Sequence, residues 1–335
     1  MQIQENISLK ALNTFGINAV AKFFATFSDT ATLSALAQNA PLSSLILGGG
    51  SNILFTGNYD GLVLKNEIKG IEKINEDSEF VYVKAGAGEN WHQFVLYCIR
   101  HNWGGVENLS LIPGNIGASP MQNIGAYGVE IKEVFSGLEA FHLNDKAIVQ
   151  FGLADCGFGY RESVFKTKYK NQFAILSVTF KLRKSPVFNT SYGAIEQELD
   201  KAGVKDLSVK AISDAVIRIR SAKLPDPAVI GNAGSFFKNP AISNHRFQSL
   251  KASFSNIVGY PLDDGSVKLA AGWLIEQCGW KGFRKGDAGC HAKQALVLVN
   301  YGNASGSDIY DLSTAILDSV NEKFGVQLER EVNII

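Results

Sequence analysis

The stretch SLIPGNIGASPMQNIGAYGVE, Ser110 to Glu130, decides how the rest of the chain is read. From Ser110 to Val129 it carries no charged side chain, yet it is not a core helix. Gly114, Gly117, Gly125 and Gly128, with Pro113 and Pro120, break both a helix and a central strand. What is left is a long backbone-rich loop holding Asn115, Ser119, Gln122 and Asn123. Glycine permits unusual φ/ψ values and close approach, so such a loop can aim many peptide N–H groups at one ligand. Long loops inside compact domains are functional or disordered, and the apolar flanks here favour function over an irregular surface crossing.

Working outward, the 335 residues allow two or three domains and a sizeable core. Hydrophobic residues make up 46% and charged residues 19%, which fits a folded enzyme and excludes a disordered chain. Lysine plus arginine equals aspartate plus glutamate at 32 each, so no global field favours nucleic acid or an anionic membrane. Any anion must be held locally. Four separated cysteines, Cys98, Cys156, Cys278 and Cys290, read as reduced thiols. The start MQIQENISLK lacks a signal-peptide pattern, and no apolar run reaches the roughly 18 residues of a membrane span. A cytoplasmic protein without membrane insertion is expected.

SSLIL, Ser43 to Leu47, reads as a buried strand running into GGGSN, Gly48 to Asn52. A dinucleotide fingerprint would need a third glycine and a following helix. Here ILFTGNYDGLVLKN is strand-like, so the Rossmann reading fails. AGAGENWHQF also lacks the third glycine but opens a helical run, Trp91 to His101, whose N-terminus could favour an anion. The segment AVAKFFATF suggests a strand, and Asp29 to Asn39 a capped helix. VFSGLEAFHL, KAIVQFGL and FAILSVTFKLR suggest an antiparallel run. Beyond a boundary near 206, helices are expected at Asp214–Lys223, around Lys268–Cys278 and at Asp308–Phe324, with a strand at ALVLVN. The ending VQLEREVNII is strand-like and is expected to return to the first domain.

Several residues could carry chemistry. Ser235 in GNAGSFFKNP is not in a nucleophile elbow, but its hydroxyl could protonate a strongly basic carbanion; a plain turn serine is the alternative. Arg161 in FGYRESVFK could grip a carboxylate or could pair with Glu162 at the surface. Lys281, Arg284 and Lys285, with Lys268 and Lys223, could form a cationic group for a diphosphate or simply a solvated face. Cys290–His291 has no second ligand pair, so no metal site is expected.

The ordered set GGGSN, GNIGASPMQNIGAYGVE, FGYR, GNAGSFFKNP and AAGWLIEQCGWKG resembles the UDP-N-acetylenolpyruvoylglucosamine reductase family over essentially the whole chain. SPVFNTSYGAI resembles the extra loop of its type I members. The resemblance implies an α+β fold: a two-part FAD-binding module of the vanillyl-alcohol-oxidase (PCMH) type plus a separate α/β substrate-binding domain. The parts would be 1–68 with 325–335, then 69–206, then 207–324. It implies non-covalent FAD, wrapped by Gly48, Gly49, Gly50, Ser51, Asn52, Asn115, Gly117, Ala118, Ser119, Gln122, Asn123, Gly125, Ala126 and Tyr127. It implies NADPH as co-substrate and UDP-N-acetylglucosamine enolpyruvate as substrate, with Tyr192, Lys223, Asn239, Tyr260, Lys268 and Gln294 near the UDP-sugar. Arg161 and Glu331, the latter protonated or hydrogen-bonded, match the residues that stabilise an aci-carboxylate, and Ser235 matches the proton donor. A flavin oxidase of the same superfamily is the competing reading; the segment from GNAGSFFKNP onward argues against it.

Overall fold

A computed structural model describes residues 2–38 and 44–335. Backbone packing divides the chain into two compact units. The first comprises Met1–Ile7, Ala21–Gly50 and Tyr59–Ala222; the second comprises Ser8–Val20, Ser51–Asn58 and Lys223–Ile335. The division falls after Ala222, whereas the functional boundary expected from sequence lies near 206.

In the first unit, Tyr59–Asn66 is the centre of a parallel sheet, with Val20–Phe27 on one side (Phe24 opposite Val63) and Ser44–Leu47 on the other (Leu45 opposite Val63). Leu62, Val63 and Leu64 are all buried, the continuous apolar run expected of a strand covered on both faces. The helix Thr30–Gln38 bridges two of the strands, and Asp29 Oδ1 caps it by accepting from Thr32 N at 2.7 Å. Residues 39–43 lie outside the described residues, so the ends expected at Asn39 and Ser43 do too.

A second sheet in this unit is antiparallel, in the order Ala147–Gly152, Phe135–His142, Phe173–Arg183, Phe80–Gly86, Ile71–Glu76. The run anticipated from sequence is therefore present, extended by two strands. Helix Trp91–Arg100 is covered by aromatic packing: the Phe94 and Phe180 rings lie 4.5 Å apart, with Trp91 5.8 Å from each. Trp91 Nε1 donates to Leu109 O at 2.8 Å, and Ser110–Glu130 follows at once.

The second unit holds two antiparallel sheets. One runs Gly231–Ser235, Val297–Asn300, Ala288–Cys290, Arg284–Lys285; the other runs Ala241–Ser243, Ser266–Leu269, Gly259–Pro261. Helix Gly306–Phe324 starts in a reciprocal Ser305/Asp308 capping box and stops at Gly325, which adopts φ +59°. Asn333–Ile334 pairs in parallel with Ile53–Leu54, so the chain end does return to an early strand, but one that packs in the second unit.

Two expected helices are corrected. One begins at Val209 rather than Asp214, because buried Val209 and Ile212 extend its apolar stripe. The other is only Ala271–Gln277, since Lys268 belongs to the strand Ser266–Leu269. Among the described residues, no helix is long and apolar enough to cross a membrane.

Candidate active site

In the first unit the glycine segments pack main chain against main chain. A Cβ added to Gly49 would fall 2.8 Å from Gly114 Cα and 2.9 Å from Asn115 Oδ1. One added to Gly117 would fall 2.8 Å from Ala87 Cβ. Any side chain would push the turns apart, so glycine here is required by close approach. The surrounding backbone is strained as well. Of eight non-glycine residues with positive φ among the described residues, Leu111 (58°), Asn123 (44°), Tyr127 (50°) and Arg161 (56°) lie in or against this loop. Such residues persist only where their surroundings fix them, and they cluster at binding sites.

The loop's polar side chains divide into two groups. Ser119 and Asn123 are buried and engaged within the protein. Ser119 Oγ donates to Ile116 O at 2.7 Å; Asn123 Nδ2 donates to Glu130 Oε2 at 2.9 Å and to Gly159 O at 3.0 Å. Their side chains shape the loop. Asn115 Nδ2 donates to Gly88 O at 3.0 Å, and Gln122 Oε1 lies 3.5 Å from Lys166 Nζ. Gly125–Ala126 forms a short hairpin with Val129–Glu130, which turns at Tyr127 and Gly128.

Two guanidinium groups converge on this uncharged loop. Arg161 Nη2 donates to Gly125 O at 2.5 Å, and its guanidinium lies 5.3 Å from the Tyr160 ring. Arg220 Nε donates to Leu111 O at 3.3 Å. Burial, and the nearby positive charge of Arg161, push Arg220 below its usual pKa, while Tyr127 acts in the opposite direction. Burial first, then the charge of Arg220, also lowers His92, whose Nδ1 accepts from Leu111 N at 3.0 Å. Tyr192 joins edge-on to Tyr127, with ring centroids 5.2 Å apart.

Sequence reading missed Arg220. A signal was present: it follows Ile212 and Val216 at four-residue steps, on the buried stripe of its helix, whereas Arg218 turns outward to Glu198 at 2.8 Å.

The second unit brings Ser235 and Glu331 onto neighbouring backbone runs. Ser235 ends the strand Gly231–Ser235; Glu331 N donates to Phe236 O at 2.8 Å, and Phe237 bridges to Arg330. Asn52 Nδ2 reaches Glu331 O at 3.4 Å, which places the second half of GGGSN beside this run. Five of the residues expected at the UDP-sugar lie in this unit. Asn239 Oδ1 accepts from Ala271 N at 3.0 Å, and a Cβ on Gly272 would meet Gln294 Oε1 at 3.1 Å. Tyr260 lies opposite Lys268 in the three-stranded sheet. Lys223 ends helix Val209–Lys223 and opens this unit's main segment.

Two of the cations that could serve a diphosphate have carboxylate partners close in sequence. Lys281 pairs with Glu276 at 2.9 Å, and Arg284 pairs with Asp287 at 2.9 Å while lying 4.2 Å from the Tyr301 ring. Nearby carboxylates take these charges, and such exposed pairs contribute little to stability. A flavin nucleotide fits the first unit on other grounds: side-chain-free turns in contact, an uncharged loop, and two guanidiniums at its edge.

Comparison with known proteins agrees. Residues 226–335 match the family described as UDP-N-acetylenolpyruvoylglucosamine reductase, C-terminal domain, and residues 20–149 match an FAD binding domain. The UDP-N-acetylenolpyruvoylglucosamine reductase of Amoebophilus asiaticus is 52% identical over 100% of both chains, and that of Flavobacterium johnsoniae is 50% identical over 100% of both. The crystal structure of UDP-N-acetylenolpyruvylglucosamine reductase from Thermus caldophilus aligns with a TM-score of 0.70 at 24% identity, covering 100% of this chain and 99% of that one. For 6-hydroxy-D-nicotine oxidase from Arthrobacter nicotinovorans the TM-score is 0.50 at 12% identity, covering 97% and 86%. These two structures speak for the fold alone, the α+β fold expected from sequence. An FAD-binding module joined to a reductase C-terminal domain defines a flavin-dependent oxidoreductase. The chain belongs to the UDP-N-acetylenolpyruvoylglucosamine reductase family.

Proposed function

We propose that the protein reduces UDP-N-acetylglucosamine enolpyruvate to UDP-N-acetylmuramate with NADPH and non-covalently bound FAD, a step of peptidoglycan synthesis in the cytoplasm. The observation that supports this most is the convergence of Arg161 and Arg220 on an uncharged glycine loop, in a chain of this family. Within the proposal, 1–68 with 325–335 and 69–206 serve the flavin, and 207–324 serves the substrate.

FAD, held by Gly48–Asn52 and the Asn115–Tyr127 loop, would supply the two-electron chemistry that links NADPH to the enolpyruvyl ether. The chain supplies the rest. The glycine turns of Gly48–Asn52 and the Asn115–Tyr127 loop let main chain approach the nucleotide closely, while the N–H groups of Ile116, Gly117, Ala118, Ser119, Met121 and Ile124 are bonded within the protein and hold the loop's shape. Negative charge from hydride addition spreads from C2 into the carboxylate, where Arg161 and Glu331 stabilise it as the aci-carboxylate. The Ser235 hydroxyl then protonates C2, giving the lactyl ether, and regains its proton from solvent. Tyr192, Lys223, Asn239, Tyr260, Lys268 and Gln294 hold the UDP-sugar. The competing oxidase reading predicts oxidation of an alcohol by O₂. Rapid reoxidation of the reduced protein by the enolpyruvyl substrate under argon distinguishes the two; reoxidation by O₂ alone would reject the reductase.

A further inference from the structure

Two glycine turns in the first unit have their carbonyl oxygens held by lysines, and one carboxylate lies between those lysines. Lys65 Nζ donates to Gly48 O at 2.6 Å, and Lys69 Nζ donates to Gly88 O at 2.5 Å. Glu67 Oε1 is 3.4 Å from Lys65 Nζ, and Glu67 Oε2 is 3.9 Å from Lys69 Nζ. The Lys65 side chain is only 13% exposed. An ammonium withdrawn from water to that extent must find replacement partners, and Gly48 O and Glu67 provide them. The strand register explains the reach. Lys65 lies opposite Leu47, the last residue of Ser44–Leu47, so its side chain begins beside the turn it holds. Gly88 O accepts a second bond, from Asn115 Nδ2 at 3.0 Å. The turn after Leu47, the Gly86–Glu89 turn and the start of the long loop are thus tied together.

A bond to a carbonyl fixes a whole peptide plane. The unit is planar and trans, and the described chain contains no cis peptide, so holding Gly48 C=O to one side aims Gly49 N–H to the other. Glycine has no side chain whose packing could do this. We propose that Lys65 is a positioning residue for the flavin nucleotide: it fixes the Gly48–Gly49 peptide for an anionic diphosphate, while Glu67 and Lys69 steady the ammonium and the neighbouring turn. This rests on the flavin reading above. It adds a charge to a site where the loops themselves offer only backbone.

The test is FAD affinity of the full-length chain stripped of flavin, measured by quenching of flavin fluorescence and read beside the melting temperature of the flavin-free protein. Lys65→Met keeps the side chain's length and removes its donor. It should raise the FAD dissociation constant about tenfold with little change in melting temperature. Lys65→Arg, which can still donate to Gly48 O, should stay within about threefold of the native value. Lys65→Gln serves in place of the methionine variant if that one does not fold. Unchanged affinity in a folded Met or Gln variant overturns the proposal, as does an equal loss in Lys65→Arg. A native chain that takes up no FAD would instead sink the flavin reading itself.

Discussion

A serine hydroxyl is a weak acid, so Ser235 suits only a reaction whose intermediate is a much stronger base. An aci-carboxylate is such a base. Ser235→Ala should therefore leave flavin reduction by NADPH intact and slow reoxidation by the enolpyruvyl substrate about a thousandfold. Equal losses in both half-reactions, in single-turnover kinetics, would remove Ser235 as the acid. Arg161→Ala should likewise spare reduction by NADPH and impair the second half-reaction; normal reoxidation in that variant would contradict its role. Burial holds the thiols in their protonated form. Burial pushes Cys156 and Cys290 up to about 12 and raises Cys98 and Cys278 as well. A raised thiol pKa keeps the group protonated until pH exceeds the new value, so at pH 8 little thiolate is present. Alkylation by iodoacetamide at that pH should be slow in the native protein and should reach all four cysteines in denaturant. Fast native labelling of Cys156 or Cys290 would show that burial misjudged.

At the scale of elements, the second unit depends on a turn that one buried amide organises. Asn300 Oδ1 accepts from Gly302 N at 2.9 Å and Ala304 N at 3.0 Å, while Nδ2 donates to Phe15 O at 2.9 Å. Asn300→Ala strands those groups away from water and should cost about 3 kcal/mol in urea denaturation; a loss under about 1 kcal/mol would mean that water replaces the amide. Elements of this kind were partly legible. FAILSVTFKLR reads as a strand because its length and apolar content leave little choice, and it is one, at Phe173–Arg183. The sequence suggests a helix from around Lys268, but pairing with Tyr260 and Ala241 keeps that residue in a sheet. Cross-strand pairing has no short-range signature, so sequence spacing could not reveal it.

At the scale of the whole chain, the glycine loops were legible because glycine and proline exclude most alternatives over a long uncharged stretch. Which cations serve a site was not. Lys281 and Arg284 looked available in sequence but are paired locally, whereas Arg220 and Lys65 looked like ordinary helix and strand residues yet reach the loops. The partners of Arg220 and Lys65 are set by tertiary contact, which no local pattern encodes, whereas Lys281 and Arg284 meet carboxylates within five residues in sequence. Arg161 belongs to one compact unit and Ser235 and Glu331 to the other, so the half-reaction tests interrogate both. The most direct test of the central claim is anaerobic stopped-flow absorbance at the flavin bands. NADPH should bleach the native protein, and UDP-N-acetylglucosamine enolpyruvate should then restore the oxidised spectrum with formation of UDP-N-acetylmuramate. A protein that bleaches with NADPH but stays reduced when the enolpyruvyl substrate is added would contradict the account.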